Sequence, residues 1–332
     1  MNCCLANKFF FLVFLIASLF SGGYVYAENT KKDYTDNNAS KIAIFYPQAK
    51  EPYNSIYQNI IAGSIDAADK NKQTMSIEKF IIRKDFNAEQ IAQDLEQKHI
   101  NKVIVLGRSG WKLAKQLSKF TSDSQTKKFQ VVSGALPISP NGVSGISLIT
   151  DPAYLFGYLN QVAPDVKNIH VAYSNKSAWL IELAKTAAQE KGLTLNLQKV
   201  SDTAQAITFY QDLFASDVSN KDAIWLPFDR ISSHDKITLP LILEKAWAKE
   251  VVVFSSKPSH AKRGALFSTY PDNFALGKHL FTMVHELEQQ PEQKNFAALK
   301  SMLLAVNLRT AAHLGLKYSS EQQQLFKLTF PQ

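Results

Sequence analysis

Apolar positions along this chain alternate between two patterns. Short unbroken runs read as strands buried on both faces: Lys41-Ile-Ala-Ile-Phe-Tyr46, Lys102-Val-Ile-Val-Leu106, Phe129-Gln-Val-Val-Ser133, Asn168-Ile-His-Val-Ala-Tyr173, Asp222-Ala-Ile-Trp-Leu-Pro227 and Val251-Val-Val-Phe254. Two further strands are read near Ser76–Ile82 and Leu193–Val200. Between the runs, apolar residues recur three and four apart and predict helices. One starts at about Tyr53 with Ile56, Ile60, Gly63 and Ala67. Others carry Ala88, Ile91, Ala92 and Leu95, or Leu113 and Leu117. Further on, Pro152–Val162, Ser177–Lys191 (Leu180, Leu183, Ala184 and Ala187 inward), Ala204–Phe214 and Ile237–Lys249 read as helices. The order β-α-β-α-β-α-β therefore occurs twice. It implies an α/β protein with two parallel sheets and right-handed crossovers.

The two halves meet at Gly142-Val-Ser-Gly-Ile-Ser-Leu-Ile-Thr-Asp-Pro152. Asp151-Pro152 reads as a helix start. The stretch is taken as the crossing between two lobes, the alternative being a loop inside one large sheet. Gly264–Ser268 reads as a strand, Asn273–Leu287 as a helix, Gln289–Lys294 as a polar linker and Met302–Val306 as a short strand. The expected organisation is lobe 1 over 41–148, lobe 2 over 149–259, and a tail over 260–332 that completes lobe 1 and then lobe 2. Crossings are expected near Ser147, near Ser259 and between Gln289 and Ser301.

The N-terminus changes this picture. Lys8 precedes the apolar run Phe9–Phe20, and Val25-Tyr26-Ala27 offers small residues for cleavage, so 1–27 reads as a secretory signal and 28–40 as a flexible tether. The only two cysteines, Cys3 and Cys4, lie before that run. The exported part then needs an ordinary core and has no thiolate for catalysis or metal binding. The charge balance, 37 Lys and Arg against 29 Asp and Glu, is scattered over helix faces and does not form a nucleic-acid patch.

In parallel α/β sheets ligands bind beyond the carboxyl ends of the strands. Those ends are Tyr46 to Tyr53, Gly107-Arg-Ser-Gly110, Ser133-Gly134-Ala135, Tyr173-Ser174-Asn175-Lys176-Ser177, Pro227 to Arg230, and Phe254 to Ser256. Ser109, Gly110 and Ser177 precede helices whose free N–H groups favour an anion, and Arg108 adds a cation. Asp229 is an acceptor suited to an ammonium or hydroxyl, and Tyr46, Tyr53, Tyr173, Trp179 and Phe228 supply apolar faces. The plainer alternatives are helix caps at Ser109 and Ser177, core packing for Tyr46 and Trp179, and a local ion pair of Asp229 with Arg230. No phosphate loop, dinucleotide fingerprint or nucleophile elbow occurs. The seven histidines show no metal spacing.

Several segments in order resemble the TrpX-like periplasmic substrate-binding proteins of ABC transporters: Gly107-Arg-Ser-Gly110, Val143-Ser-Gly-Ile-Ser147 before Asp151-Pro152, Leu226-Pro-Phe-Asp229, Arg263-Gly-Ala-Leu-Phe267 with Tyr270-Pro-Asp272, and Ala305-Val-Asn-Leu-Arg-Thr-Ala311 with Leu314-Gly-Leu316. The likeness covers about Lys41 to Pro331. It implies the type I periplasmic binding fold, two doubly wound parallel-sheet lobes joined by a multi-strand hinge that closes on a small molecule. The Ser109 loop, the Ser177 helix start and Asp229 would touch the ligand. Two departures stand out. The family's Pro-Gly-Gly-Asn-Val-Thr-Gly is here Ser139-Pro-Asn-Gly-Val-Ser-Gly145, and its small pair after the Gly107 strand end is replaced by Arg108-Ser109-Gly110-Trp111.

The candidate ligand residues are thus Tyr53, Arg108, Ser109, Gly110, Ser133, Gly134, Ser174, Lys176, Ser177, Asp229 and Ser256, with no catalytic set, metal or cofactor. The expected role is a monomeric periplasmic protein delivering an amino acid or related carboxylate to an ABC permease. The first alternative is a ligand-sensing partner of a membrane receptor. The second is an exported hydrolase using Ser133 or Ser256 with His260.

Overall fold

The computed structural model describes residues 40–71, 75–121, 127–289 and 295–331. The expected signal segment, the tether up to residue 39 and linker residues 290–294 lie outside them. Ser40 already belongs to the first strand, and Gln289 ends a helix.

The first run is β1 (Ser40–Pro47), α1 (Tyr53–Lys70), β2 (Met75–Ile82), α2 (Ala88–Gln97), β3 (Lys102–Leu106), α3 (Gly107–Leu117), β4 (Gln130–Leu136) and β5 (Ser144–Thr150). The second is α4 (Pro152–Val162), β6 (Asn168–Tyr173), α5 (Ala178–Glu190), β7 (Thr194–Lys199), α6 (Thr203–Ala215), β8 (Asp222–Leu226), α7 (Thr238–Lys249), β9 (Val252–Ser255), α8 (Ser259–Arg263) and β10 (Phe267–Pro271). The chain ends with α9 (Asn273–Gln289), β11 (Phe296–Leu299), β12 (Met302–Asn307), α10 (Leu308–His313), α11 (Ser320–Gln324) and β13 (Phe326–Phe330).

The strands form two sheets, ordered β11-β5-β4-β3-β1-β2 and β13-β12-β10-β9-β8-β6-β7. The β10–β12 pair is antiparallel; the other named pairs are parallel. Each sheet is covered on both faces, which is why its central strands are apolar without alternation. In the first sheet, Ile44, Ile104 and Val132 pack with Ile60 and Ile61 of α1 and Leu280 and Val284 of α9. Phe45, Val103 and Val105 pack on the other face with Leu95 of α2 and Leu113 and Leu117 of α3. In the second sheet, Val171, Trp225 and Phe254 meet α4 and α5 through Phe156, Leu159 and Leu180. Ala172, Ile224 and Val253 meet α6 and α7 through Tyr210, Phe214 and Ile242.

The chain passes between the sheets three times, from β5 into α4, from β10 into α9 and from β11 into β12. The passages are bonded to one another. Asp151 N–H donates to the Leu299 carbonyl at 2.9 Å and Asp272 N–H to the Ser301 carbonyl at 3.2 Å. The buried hydroxyls of Thr150 and Thr269 share a hydrogen bond of 2.9 Å.

Several expectations are corrected. The return to the first sheet lies at Asp272, not near Ser259, because α8 and β10 stay with the second sheet. The strand expected at Gly264–Ser268 starts later. Gly264 caps α8 with φ 124°, and contact with β9 begins where Leu266 N–H bonds the Val253 carbonyl at 2.7 Å. Leu183 is exposed, and Ile181 takes the inward position on α5.

Candidate functional site

The parallel strands of both sheets deliver their loops to the same side, and each predicted ligand residue sits on such a loop or the element it joins. In the first lobe Tyr53 opens α1 and is exposed. Helix α3 follows β3 without a linker: Gly107 turns the chain with φ 71°, and the Tyr57 hydroxyl fills the place a side chain there would need. Ser109 and Gly110 therefore lie inside the first turn of α3 and not before it. The Ser109 backbone N–H is among those a helix leaves without an intrahelical acceptor, whereas Gly110 N–H is the first to bond inside the helix, to the Leu106 carbonyl. Arg108 is exposed and makes no ion pair among the described residues.

At the end of β4, Ser133 is buried and its Oγ donates to the Ser144 carbonyl at 3.3 Å. Gly134 packs on Leu280 of α9. Ala135 holds φ 61°, a left-handed conformation unfavourable for a residue with a Cβ, where the β4–β5 register shifts.

The second lobe contributes one tight cluster. Asp229 is buried, and its Oδ2 accepts from Ser174 N–H at 2.8 Å and from Ser177 Oγ at 2.6 Å. Its Oδ1 accepts from Ile231 N–H at 2.9 Å. Burial alone would raise this carboxyl, but the bonds from Ser177, Ser174 and Ile231 outweigh it and hold it below the usual carboxylate range. Ser177 thus does not cap α5 with its side chain; it ties the loop after β6 to the loop after β8. Lys176, between Ser174 and Ser177, is exposed. Arg230 forms no ion pair with Asp229 among the described residues.

Ser256 is buried and accepts the Trp225 indole N–H at 3.3 Å. Neither Ser256 nor Ser133 meets His260. Its neighbour Ser255 does, with Oγ 2.8 Å from His260 Nδ1. His260 Nε2 lies 2.9 Å from Asp235 Oδ1, and Asp235 also pairs with Lys257. A carboxylate only accepts, so Nε2 carries the proton and Nδ1 accepts from Ser255. This chain has the residue types of a hydrolase triad, but Ser255 Oγ is fully buried and also accepts Lys257 N–H at 3.0 Å. Its geometry staples the loops after β8 and β9. Nothing in residue spacing marks Ser255 and Asp235, because what joins them is His260 folding back between two loops.

The two halves touch across the lobes. Ser139 Oγ, in the β4–β5 loop, donates to the Lys176 carbonyl at 2.9 Å. Among the described residues no hydrogen bond links Tyr53, Arg108, Ser109 or Gly110 to the second lobe. A cavity of about 460 Å³ opens elsewhere, at the amino ends of β4 and β5 beside Lys115, Lys119 and Asn141. It adjoins Lys127 and Leu287, next to segments outside the described residues, and lies away from the strand carboxyl ends where sheets of this kind bind ligands.

The family model for ABC transporter substrate binding protein matches residues 138–326, more than half of the chain. The chain belongs to this family. Among solved structures it is similar to the ligand-free, open form of a substrate binding protein with adhesive properties from Clostridium difficile, with TM-score 0.55, 14% identity and coverage of 85% of this chain and 97% of that one. That likeness shows the fold, the type I periplasmic binding architecture of the two sheets above. An ABC domain from Streptococcus pneumonia in complex with L-Trp gives TM-score 0.48 at 17% identity, covering 88% of this chain and 100% of that one. A conserved domain protein from Vibrio cholerae gives 0.46 at 17% identity, over 88% and 99%. No curated protein matches the chain. Solute binding is the role of this substrate-binding family.

Proposed function

We propose that this protein takes up a small carboxylate, such as an amino acid, between its lobes in the periplasm and hands it to an ABC permease. The observation that carries this reading is the meeting of strand-end loops from both sheets, bonded at Ser139 and Lys176. The Arg108 side chain and the free Ser109 N–H at the start of α3 would bind the carboxylate from the first lobe, with Gly110 beside them in the same turn. Tyr53, Ser133 and Gly134 would line that side. Ser174, Lys176, Ser177 and Ser256 would line the other. Asp229 acts in this scheme as a positioning residue, because its oxygens are already engaged by the loop it shapes. Rotation about the three passages would close the lobes over the ligand.

A thermal-shift screen of amino acids and small carboxylates tests the reading. A ligand that binds only the folded state raises the midpoint by mass action. Arg108→Ala is expected to abolish the shift for a carboxylate while leaving the unliganded midpoint unchanged, since Arg108 is exposed and has no ion pair among the described residues. A folded wild-type protein that responds to nothing in the panel overturns the proposal.

A further inference from the structure

The start of α5 grips the opposite lobe at two points, and neither lies on a passage between the sheets. The first is the Ser139 to Lys176 hydrogen bond. The second is Trp179, in the first turn of α5, whose ring meets Phe296 of β11 edge-on, with centroids 5.7 Å apart and planes at 81°. β11 is the edge strand of the first sheet, where Phe296 sits opposite Gly145 of β5. The Trp179 Nε1 N–H is buried and finds no acceptor among the described residues. No hydrogen bond therefore orients the indole. Its packing does, against its own lobe on one side and Phe296 on the other.

We propose that the Trp179–Phe296 pair, with the Ser139–Lys176 bond beside it, is a latch that sets the balance between open and closed lobes. The inference rests on the two-lobe fold and is independent of the ligand class proposed above. The start of α5 moves as one body with its lobe because Ser174 and Ser177 are both bonded to Asp229. A rotation about the passages at Asp151, Asp272 and Ser301 must therefore part both contacts together. Water replaces the Ser139 bond once the lobes part, so that bond weighs little in the balance. Water does not replace an edge-to-face ring pair, so Phe296 carries the larger share. Loss of such a pair shifts a two-state balance by roughly two- to tenfold toward the open form.

Small-angle scattering of the full chain without added ligand tests this with Phe296→Ala. The expected result is a larger radius of gyration than wild type, with unchanged mass and far-ultraviolet circular dichroism. An unchanged radius in the folded variant overturns the latch. If Phe296→Ala does not fold, Phe296→Leu keeps the apolar contact of β11 but removes the ring, and the same comparison decides. A second measurement reads closure directly. Ser139→Cys with Lys176→Cys is expected to form a disulfide, identified as a linked peptide by mass spectrometry. The rate of linkage should fall two- to tenfold when Phe296→Ala is added. Equal rates overturn the latch, whatever the ligand screen returns.

Discussion

Asp229 stays ionised through three donors rather than a cation, and its removal should be felt in stability as well as in binding. Asp229→Ala strands Ser174 N–H and Ile231 N–H and leaves Ser177 Oγ only its longer bond to the Ser174 carbonyl, at 3.3 Å. The expected loss is about 3 kcal/mol, seen as a drop in the thermal midpoint of roughly 6–12 °C. His260 sets a different pH window. Burial holds its pKa below 6.5, with Lys257 and Arg263 acting in the same direction and Asp235 against them. Unfolded, it takes a proton at about its ordinary value, so the unfolded state binds more protons and stability falls as pH drops below 6.5 toward the folded value. The midpoint of wild type should decline over that window, and His260→Gln should flatten the decline; an equal slope in both proteins would show that His260 does not titrate there. The carboxylates act lower. Asp235 is held down to about 2, the bonds from Lys257 and His260 outweighing burial, so its contribution is lost only as pH falls from 3.8 toward that value. At this scale the sequence was half legible. Strand ends pointed to Ser174, Ser177 and Asp229 as neighbours, but not to their bonding with each other. That depends on two loops folding toward one point, and residue spacing along a chain carries no record of it.

Helices α1 and α9 cross so closely that glycine is required at the contact. A Cβ on Gly63 would fall against the Phe274 carbonyl oxygen, and one on Gly277 against that of Ile60. Ser64 Oγ donates to the Gly277 carbonyl at 2.9 Å in the same crossing. Backbone stands at both clashes, so neither can be relieved by a rotamer. Gly63→Ala and Gly277→Ala should each destabilise by about 2–3 kcal/mol in denaturant unfolding, although alanine favours a helix by up to ~1 kcal/mol. Less than 1 kcal/mol lost in both would mean the helices separate at little cost. Elements with long periodic patterns were readable: α1, α4, α6 and α9 begin within a residue of their expected starts. Short elements were not. β11 is four residues, Phe296–Leu299, and β13 is Phe326–Phe330. Each is a strand only because a neighbour, β5 or β12, offers its free edge. On α5, Leu183 and Ile181 are both apolar. Which one faces inward follows from where the helix lies on its sheet, not from apolar spacing alone.

The two lobes communicate through three passages bonded to one another, and the hydroxyls of Thr150 and Thr269 join two of them. Both residues are buried, so the energetic consequence depends on whether one hydroxyl or both are removed. Thr150→Val leaves the Thr269 hydroxyl without its partner in a dry site, and the reverse holds for Thr269→Val; each should cost about 1–3 kcal/mol. The double substitution removes the orphan and preserves the shape, so it should cost clearly less than the sum of the singles. A double-mutant cycle by denaturant unfolding measures this, and strict additivity would show that the bond contributes nothing to the hinge. Hydrogen exchange extends the test to motion. The Asp151 and Asp272 amides bond to carbonyls of the neighbouring passage. If the threonine pair keeps the passages in register, both amides should exchange faster in either single variant and return toward the wild-type rate in the double. Amides in β3, buried in the middle of the first sheet, should not change. Such a pattern would place the loosening at the hinge and not in the lobes, as expected of a molecule that moves by rotating two rigid bodies about a narrow bonded seam.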